Sequence, residues 1–314
     1  MRIIDIQLKI KNMELKNRLV MPPMATAKAG KDGEISNDVC TYYDEKTKGG
    51  WIGLVICEHS FVMQEGKAGA GQVSISKDED LEGLRRLVDT IHANGTCVFA
   101  QIAHAGQRAK KDITGMEPAG PDTMDNQHIQ EVIESFADAA KRAREAGFDG
   151  VEIHSAHGYL LNQFYSPLAN HRTDEYGTDK LKIHKEVIKA VRKAVGNDFP
   201  VALRLGACDY AEGGNTILEA VAAAKELEAC GIDLLDISGG MNGYIRPGHT
   251  EQGYFQDVSE AVKQEVKIPV LLTGGITDVN AAEDLLARSK ADLIGAGRAI
   301  LKDTSWPEKA MDHR

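Results

Sequence analysis

The chain has 314 residues, 42% hydrophobic and 27% charged, and 37 Lys plus Arg against 47 Asp plus Glu leave a formal net charge of -10 at pH 7. That length suits one large α/β barrel or two ordinary domains, is ample for a sizeable core, and its acidic balance argues against a nucleic-acid partner, because polyphosphate is repelled. The opening Met1-Arg2-Ile3-Ile4-Asp5 has neither signal-peptide nor membrane-span character, which points to the cytoplasm and away from a membrane. Cys40, Cys57, Cys97, Cys208 and Cys230 include no CxxC pair, so they read as reduced thiols and suggest neither a zinc nor an iron–sulfur site.

Short apolar runs recur along the chain at residues 19–21, 52–57, 97–102, 150–153, 201–205, 234–237, 270–273 and 293–295. Near-continuous apolar runs suit strands buried on both faces, as in a parallel sheet. The segments between them read as helices. Residues 129–146 have helical periodicity and stop at Gly147; residues 180–195 stop at Gly196, with Pro200 beyond. Residues 216–230 are rich in Ala, Leu and Glu and precede Gly231, and residues 278–288 open on a capping residue type. Residues 106–126 show no clear period and read as a long loop over a barrel mouth. Eight strands alternating with helices predict a (β/α)8 TIM barrel of the α/β class, with residues 1–314 as a single domain. A doubly wound open sheet is the structural alternative. It would carry GxGxxG after an early strand, and the glycines of residues 66–71 lack that spacing.

Chemistry in such a barrel sits at the C-terminal strand ends. In chain order those ends bring Pro22-Pro23-Met24-Ala25, then Glu58-His59, then Gln101 with His104 after it. His154, His157 and Tyr159 close the fourth run, and Arg204 lies in the fifth. Ser238-Gly239-Gly240, Thr273-Gly274-Gly275 and Gly295-Ala296-Gly297-Arg298 follow. Glycines at the last two ends let backbone amides close on an anion, and Arg298 would add a charged donor, so a phosphate site is expected there. Plain tight turns are the competing reading. Arg204 points into the barrel or its mouth and needs a partner, either a barrel acid or an electron-rich ring. His154 and His157 can aim two donors at one carbonyl oxygen, with Tyr159 offering a weakly acidic proton. A metal reading lacks an evident third ligand.

Together these segments resemble the Old Yellow Enzyme family of flavin reductases. The resemblance rests on residues 15–24, Gln101-Ile-Ala-His-Ala-Gly106, residues 146–160, Ser166-Pro-Leu-Ala-Asn170 with Arg172-Thr-Asp-Glu-Tyr-Gly177, and the glycine ends near Gly275 and Arg298. It implies FMN as cofactor and NADH or NADPH as reductant. The family's flavin contacts correspond to Pro23, Met24, Ala25, His59, Gln101, Arg204, Gly274, Gly275, Gly297 and Arg298. Its substrate-oxygen ligands correspond to His154 and His157, and its proton donor to Tyr159. The implied reaction is an ene-reduction: hydride from the flavin reaches the C=C of an α,β-unsaturated carbonyl compound, a small-molecule partner. Oligomeric state is left open, a homo-oligomer included.

Three positions depart from the family. Ala25 stands where Thr or Cys is usual. The segment Thr178-Asp-Lys-Leu181 is shorter than the usual stretch. The cysteine-rich cluster segment of longer relatives has no counterpart, so the chain resembles the barrel of the dienoyl-CoA reductase branch standing alone. Two other FMN readings compete. A tRNA dihydrouridine synthase-like barrel is disfavoured by the net charge of -10 and the His154/His157/Tyr159 trio. An electron-relay flavoprotein subunit is set aside only by turnover on an enone.

Overall fold

A computed structural model describes residues 1–312 of the chain. Its strands are β1 (Leu8–Ile10), β2 (Met13–Leu15), β3 (Leu19–Met21), β4 (Leu54–Ile56), β5 (Ser60–Phe61), β6 (Cys97–Ala103), β7 (Gly150–Ser155), β8 (Val201–Cys208), β9 (Leu234–Gly239), β10 (Val270–Thr273) and β11 (Leu293–Gly295). The order β3-β4-β6-β7-β8-β9-β10-β11 returns to β3, and every pairing in that ring is parallel. This is a closed (β/α)8 barrel, and each of the eight apolar runs contributes one of its strands.

The edges of the runs move for physical reasons. The second run shortens to Leu54–Ile56, and the fifth extends to Cys208, because Gly206 and Cys208 continue the ladder onto β9 across a register shift. The helix expected at 129–146 begins earlier, at Asn126, where the Asp125 side chain caps the His128 amide. Thr216 and Glu219 form a capping box ahead of Ile217–Ala229. The 106–126 loop holds a 3-10 turn at Gly106–Arg108 and one helical turn at Lys111–Thr114.

Side chains alternate across each strand, so every second residue enters the barrel. Val20, Leu54, Ile56, Phe99, Ala202, Leu234, Leu271 and Leu293 form one apolar cluster inside. Ile10 and Leu15 of the β1–β2 hairpin join it, so that hairpin plugs the end of the barrel opposite the strand C-termini. Emptying a position such as the fully buried Phe99 to Ala would cost about 3–5 kcal/mol. Two residues further along four of these strands, and at Glu152 of β7, the interior turns polar: Gln101, Glu152, Arg204, Asp236 and Thr273 are all buried. Their backbone amides are held by the ladder, so these side chains form a firm floor for whatever lies above. Among the described residues no helix is long and apolar enough to cross a membrane.

Candidate active site

A cavity of about 570 Å³ opens at the strand C-termini. Pro23, Met24, Ala25, His59, Gln101, His154, His157, Tyr159, Arg204, Gly274, Gly275, Gly297 and Arg298 all line it. The residues singled out in the sequence therefore converge on one space, although they come from seven strand ends. The loop after β3 is held by Glu58: its carboxylate accepts from the Thr26 hydroxyl at 2.6 Å and from the Thr26 amide at 3.0 Å. The Thr26 side chain is therefore committed away from the cavity, while Ala25 is exposed on its wall.

His154 ends β7 and is buried; His157 follows in the left-handed region at φ +61, with its amide donating to the Gly239 carbonyl at 3.1 Å. A non-glycine residue there costs about 1–3 kcal/mol, and it turns the imidazole back toward the cavity. The two imidazole rings meet edge to face at 5.1 Å, and His154 meets Tyr159 in the same way at 4.9 Å. His157 Nε2 lies 2.7 Å from Ser238 Oγ, whereas His154 Nδ1 is buried with no partner. The Tyr159 hydroxyl is 3.2 Å from His59 Nε2.

Electrostatics keep these rings neutral. Burial, with the charge of Arg204 added, pushes His59 down to about 4, and both His154 and His157 sit well below the usual histidine range. Burial raises the Tyr159 phenol, with Arg108 opposing it. At neutral pH the site thus offers neutral imidazole donors and an un-ionised phenol, which is the state needed to polarise an oxygen and supply a proton.

The floor carries the charge. Gln101 Nε2 donates to Glu152 Oε1 at 2.8 Å, so the amide oxygen of Gln101 is free for a donor in the cavity. Arg204 Nη2 donates to Thr273 Oγ1 at 3.3 Å, and its Nε faces Asp236 Oδ2 at 3.2 Å. Both readings of Arg204 meet here: it has a barrel acid and also faces the cavity.

At the β10 end, Gly274 and Gly275 have φ +125 and +72, and a Cβ on Gly275 would stand 2.7 Å from the Tyr254 ring. A Cβ on Gly297 would approach Met24 Sδ at 2.9 Å. Tyr254 is thus what demands Gly274 and Gly275; its hydroxyl donates to the Tyr244 carbonyl and accepts from Arg298 Nη2 at 3.2 Å. The helix after β10 starts only at Val279 and is capped by Asp278, so its dipole serves its own cap rather than an anion at Gly275. This glycine-backed recess, a guanidinium at its edge and the polar floor fit a planar ring with a single phosphate arm, as FMN presents.

Several lining residues carried no signal of their own in the sequence. Tyr254, Tyr244 and Arg108 come from irregular loops, and Ser238 was visible only as part of a strand end. Arg108 Nε donates to the Gly158 carbonyl at 3.1 Å and Nη2 to the Met241 carbonyl at 2.8 Å, tying three loops together at the mouth. His104 turns away from the cavity: its Nε2 meets buried Glu65 at 3.1 Å, which also meets His128 at 2.5 Å. The five cysteines are free, and no group of three or more His, Cys, Asp or Glu among the described residues could hold a metal ion.

Comparison with known proteins places the chain in a family. A model of the NADH:flavin oxidoreductase / NADH oxidase family matches residues 7–314. The chain is 37% identical to an NADH oxidase of Thermoanaerobacter brockii over 98% of its length but only 50% of that protein's, so it spans half of that relative. It is also 37% identical to an NADPH dehydrogenase of Halalkalibacterium halodurans, covering 96% of this chain and 91% of the other. The structure of an old yellow enzyme homologue from Zymomonas mobilis superposes with a TM-score of 0.86 at 25% identity, over 98% of this chain and 91% of that one. The chain belongs to the NADH:flavin oxidoreductase / NADH oxidase family, that of Old Yellow Enzyme, whose cofactor is FMN and whose reductant is a reduced nicotinamide.

Proposed function

We propose that this protein is an ene-reductase: with FMN held in the barrel mouth and NADH or NADPH as reductant, it saturates the C=C bond of a small α,β-unsaturated carbonyl compound. FMN, when bound, supplies the hydride chemistry. Pro23, Met24, Ala25 and His59 would wall its ring on one side, Gln101 and Arg204 would face its polar edge, and Gly274, Gly275, Gly297 and Arg298 would hold the phosphate.

His154 and His157 bind the substrate oxygen. Each neutral ring has one N–H to donate, and two such donors stabilise the negative charge that builds on a carbonyl oxygen. Ser238 fixes the plane of the His157 ring, because a 2.7 Å contact to Nε2 leaves little freedom. Tyr159 holds its proton at the phenol oxygen and delivers it to the α-carbon. His59 orients that hydroxyl from 3.2 Å. Binding the ligand over the floor displaces water from the cavity, which strengthens each of these contacts.

The observation that carries this reading is the convergence of His154, His157 and Tyr159, all un-ionised, on the same cavity as Arg204 and the glycine recess. The trio is tested by separating the two half-reactions in a stopped-flow instrument. Replacement of His154 or His157 by Ala should weaken binding of phenols and enones while leaving reduction by the nicotinamide intact. Normal phenol affinity in both variants would show that the oxygen is bound elsewhere.

A further inference from the structure

Beneath the cavity, two acids flank one guanidinium. Glu152 on β7 and Asp236 on β9 are both 0% exposed, and Arg204 on β8 lies between them. Of the four carboxyl oxygens only Glu152 Oε1 has a hydrogen-bond donor, the amide of Gln101; Glu152 Oε2 and both Asp236 oxygens have none. Among the described residues the guanidinium meets these carboxyls at one point, Arg204 Nε to Asp236 Oδ2 at 3.2 Å. The neighbouring strands bring Gln101 and Thr273 to this layer, while β3, β4 and β11 present Val20, Ile56 and Leu293 to the interior, so among the described residues no second cation balances the pair.

With both acids ionised, this buried layer would hold two negative charges against one positive. A carboxylate without donors is strongly disfavoured there, so a proton must reside on the pair. Burial and mutual repulsion with Asp236 raise Glu152 well above the carboxylate range, and burial raises Asp236 as well. Asp236, 3.2 Å from Arg204 Nε, is the anion the guanidinium holds, so the resident proton falls to Glu152.

We propose that the Glu152–Asp236 pair is a proton store that takes up one solvent proton when the cofactor above Arg204 gains negative charge. This rests on the FMN reading of the cavity. Arg204 cannot neutralise two anions at once, one above it and Asp236 beside it. Protonating Asp236 releases the guanidinium to the upper anion. The balance is simple. A reduced nicotinamide would supply two electrons and one proton as hydride to the FMN held above, which would be reduced as the nicotinamide is oxidised; one further proton, taken from solvent, forms an O–H bond on the acid pair. The acids and Arg204 change no oxidation state. Asp236 is thus a positioning residue that sets the redox poise without touching substrate.

The test is proton counting during anaerobic photoreduction of the FMN-loaded protein in weakly buffered solution with a pH indicator, near pH 7. Wild type should bind about two protons per two electrons and Asp236→Asn about one, as linkage requires when a titratable site is removed. The midpoint potential of Asp236→Asn should also lie higher and vary less with pH. If Asp236→Asn does not retain flavin, Glu152→Gln serves, because it keeps an acceptor for Gln101. The amide mimics the protonated Glu152, so this variant should still take up about two protons per two electrons near pH 7. Uptake of only about one proton by wild type, unchanged uptake in Asp236→Asn, or loss of the extra proton in Glu152→Gln overturns the proposal. A folded protein that binds no flavin would instead sink the FMN reading itself.

Discussion

Replacing Ala25 with Thr should raise the reduction potential of the bound flavin. The family resemblance implies a hydroxyl or thiol at this position, and the cavity wall at Ala25 lacks one. The adjacent Thr26 does not substitute for it, because its hydroxyl donates to Glu58 at 2.6 Å. His59 is no replacement either, since its Nε2 faces the Tyr159 hydroxyl. Ala25 is exposed on the cavity side, so a threonine hydroxyl meets open space rather than packed core. A hydrogen bond to an acceptor that gains negative charge is worth about 1.5–3 kcal/mol. For a two-electron couple, 30 mV corresponds to 1.4 kcal/mol, so Ala25→Thr should raise the potential by roughly 30–65 mV. Reduction by the nicotinamide should quicken, and transfer to weakly activated acceptors should slow. The assay is anaerobic equilibration with a reference dye, read from the visible spectra of protein and dye together. An unchanged or lower potential, with flavin still bound at wild-type affinity, refutes the reasoning and leaves Ala25 as a packing choice.

Other outcomes follow from the same geometry. Tyr159→Phe should leave the reductive half-reaction untouched and slow the oxidative half-reaction with enones by about 10²-fold or more, as for loss of a general acid; normal turnover would show that another group supplies the proton. Arg298→Ala should weaken FMN retention by roughly ten- to a hundredfold, as for one charge-assisted hydrogen bond, measured by rebinding FMN to apoprotein; unchanged affinity would move the phosphate elsewhere. Burial drives His184 down to about 4, so its folded form stays neutral while an unfolded histidine takes a proton below about 6.5. The unfolded state then binds more protons, and stability must fall as pH drops from about 6.5 toward 4. Urea midpoints at pH 7.5 and 5 check this, and His184→Asn should flatten the difference; equal midpoints in wild type would contradict it.

Much of the barrel was legible because its strands are buried on both faces, which writes them as short apolar runs. The β1–β2 hairpin was not, since Leu8–Ile10 and Met13–Leu15 are three residues each and half-exposed at their first positions. The helices Asn37–Thr47 and Leu81–Ala93 could be inferred only as the spacers between runs. The site was legible where a residue sits on a strand or directly after it, as with Gln101, His154 and Arg204, because period-two alternation places such side chains. Tyr254 and Arg108 lie in loops without a period, and only the folded chain reveals that Tyr254 backs the Gly274–Gly275 turn. The partnership of His157 with Ser238 joins β7 and β9 across β8, a contact that no local pattern encodes. The acid pair under Arg204 was foreshadowed only as the expectation that a buried guanidinium needs a partner.

The most direct test of the central claim is an anaerobic visible titration of the purified protein. The protein should show a flavin spectrum, and heat release followed by chromatography should recover FMN. NADH or NADPH should bleach that spectrum, and one equivalent of an enone such as 2-cyclohexenone should restore it while yielding the saturated ketone. A bleached protein that enones leave colourless, while oxygen restores its spectrum, would contradict the assignment as an ene-reductase.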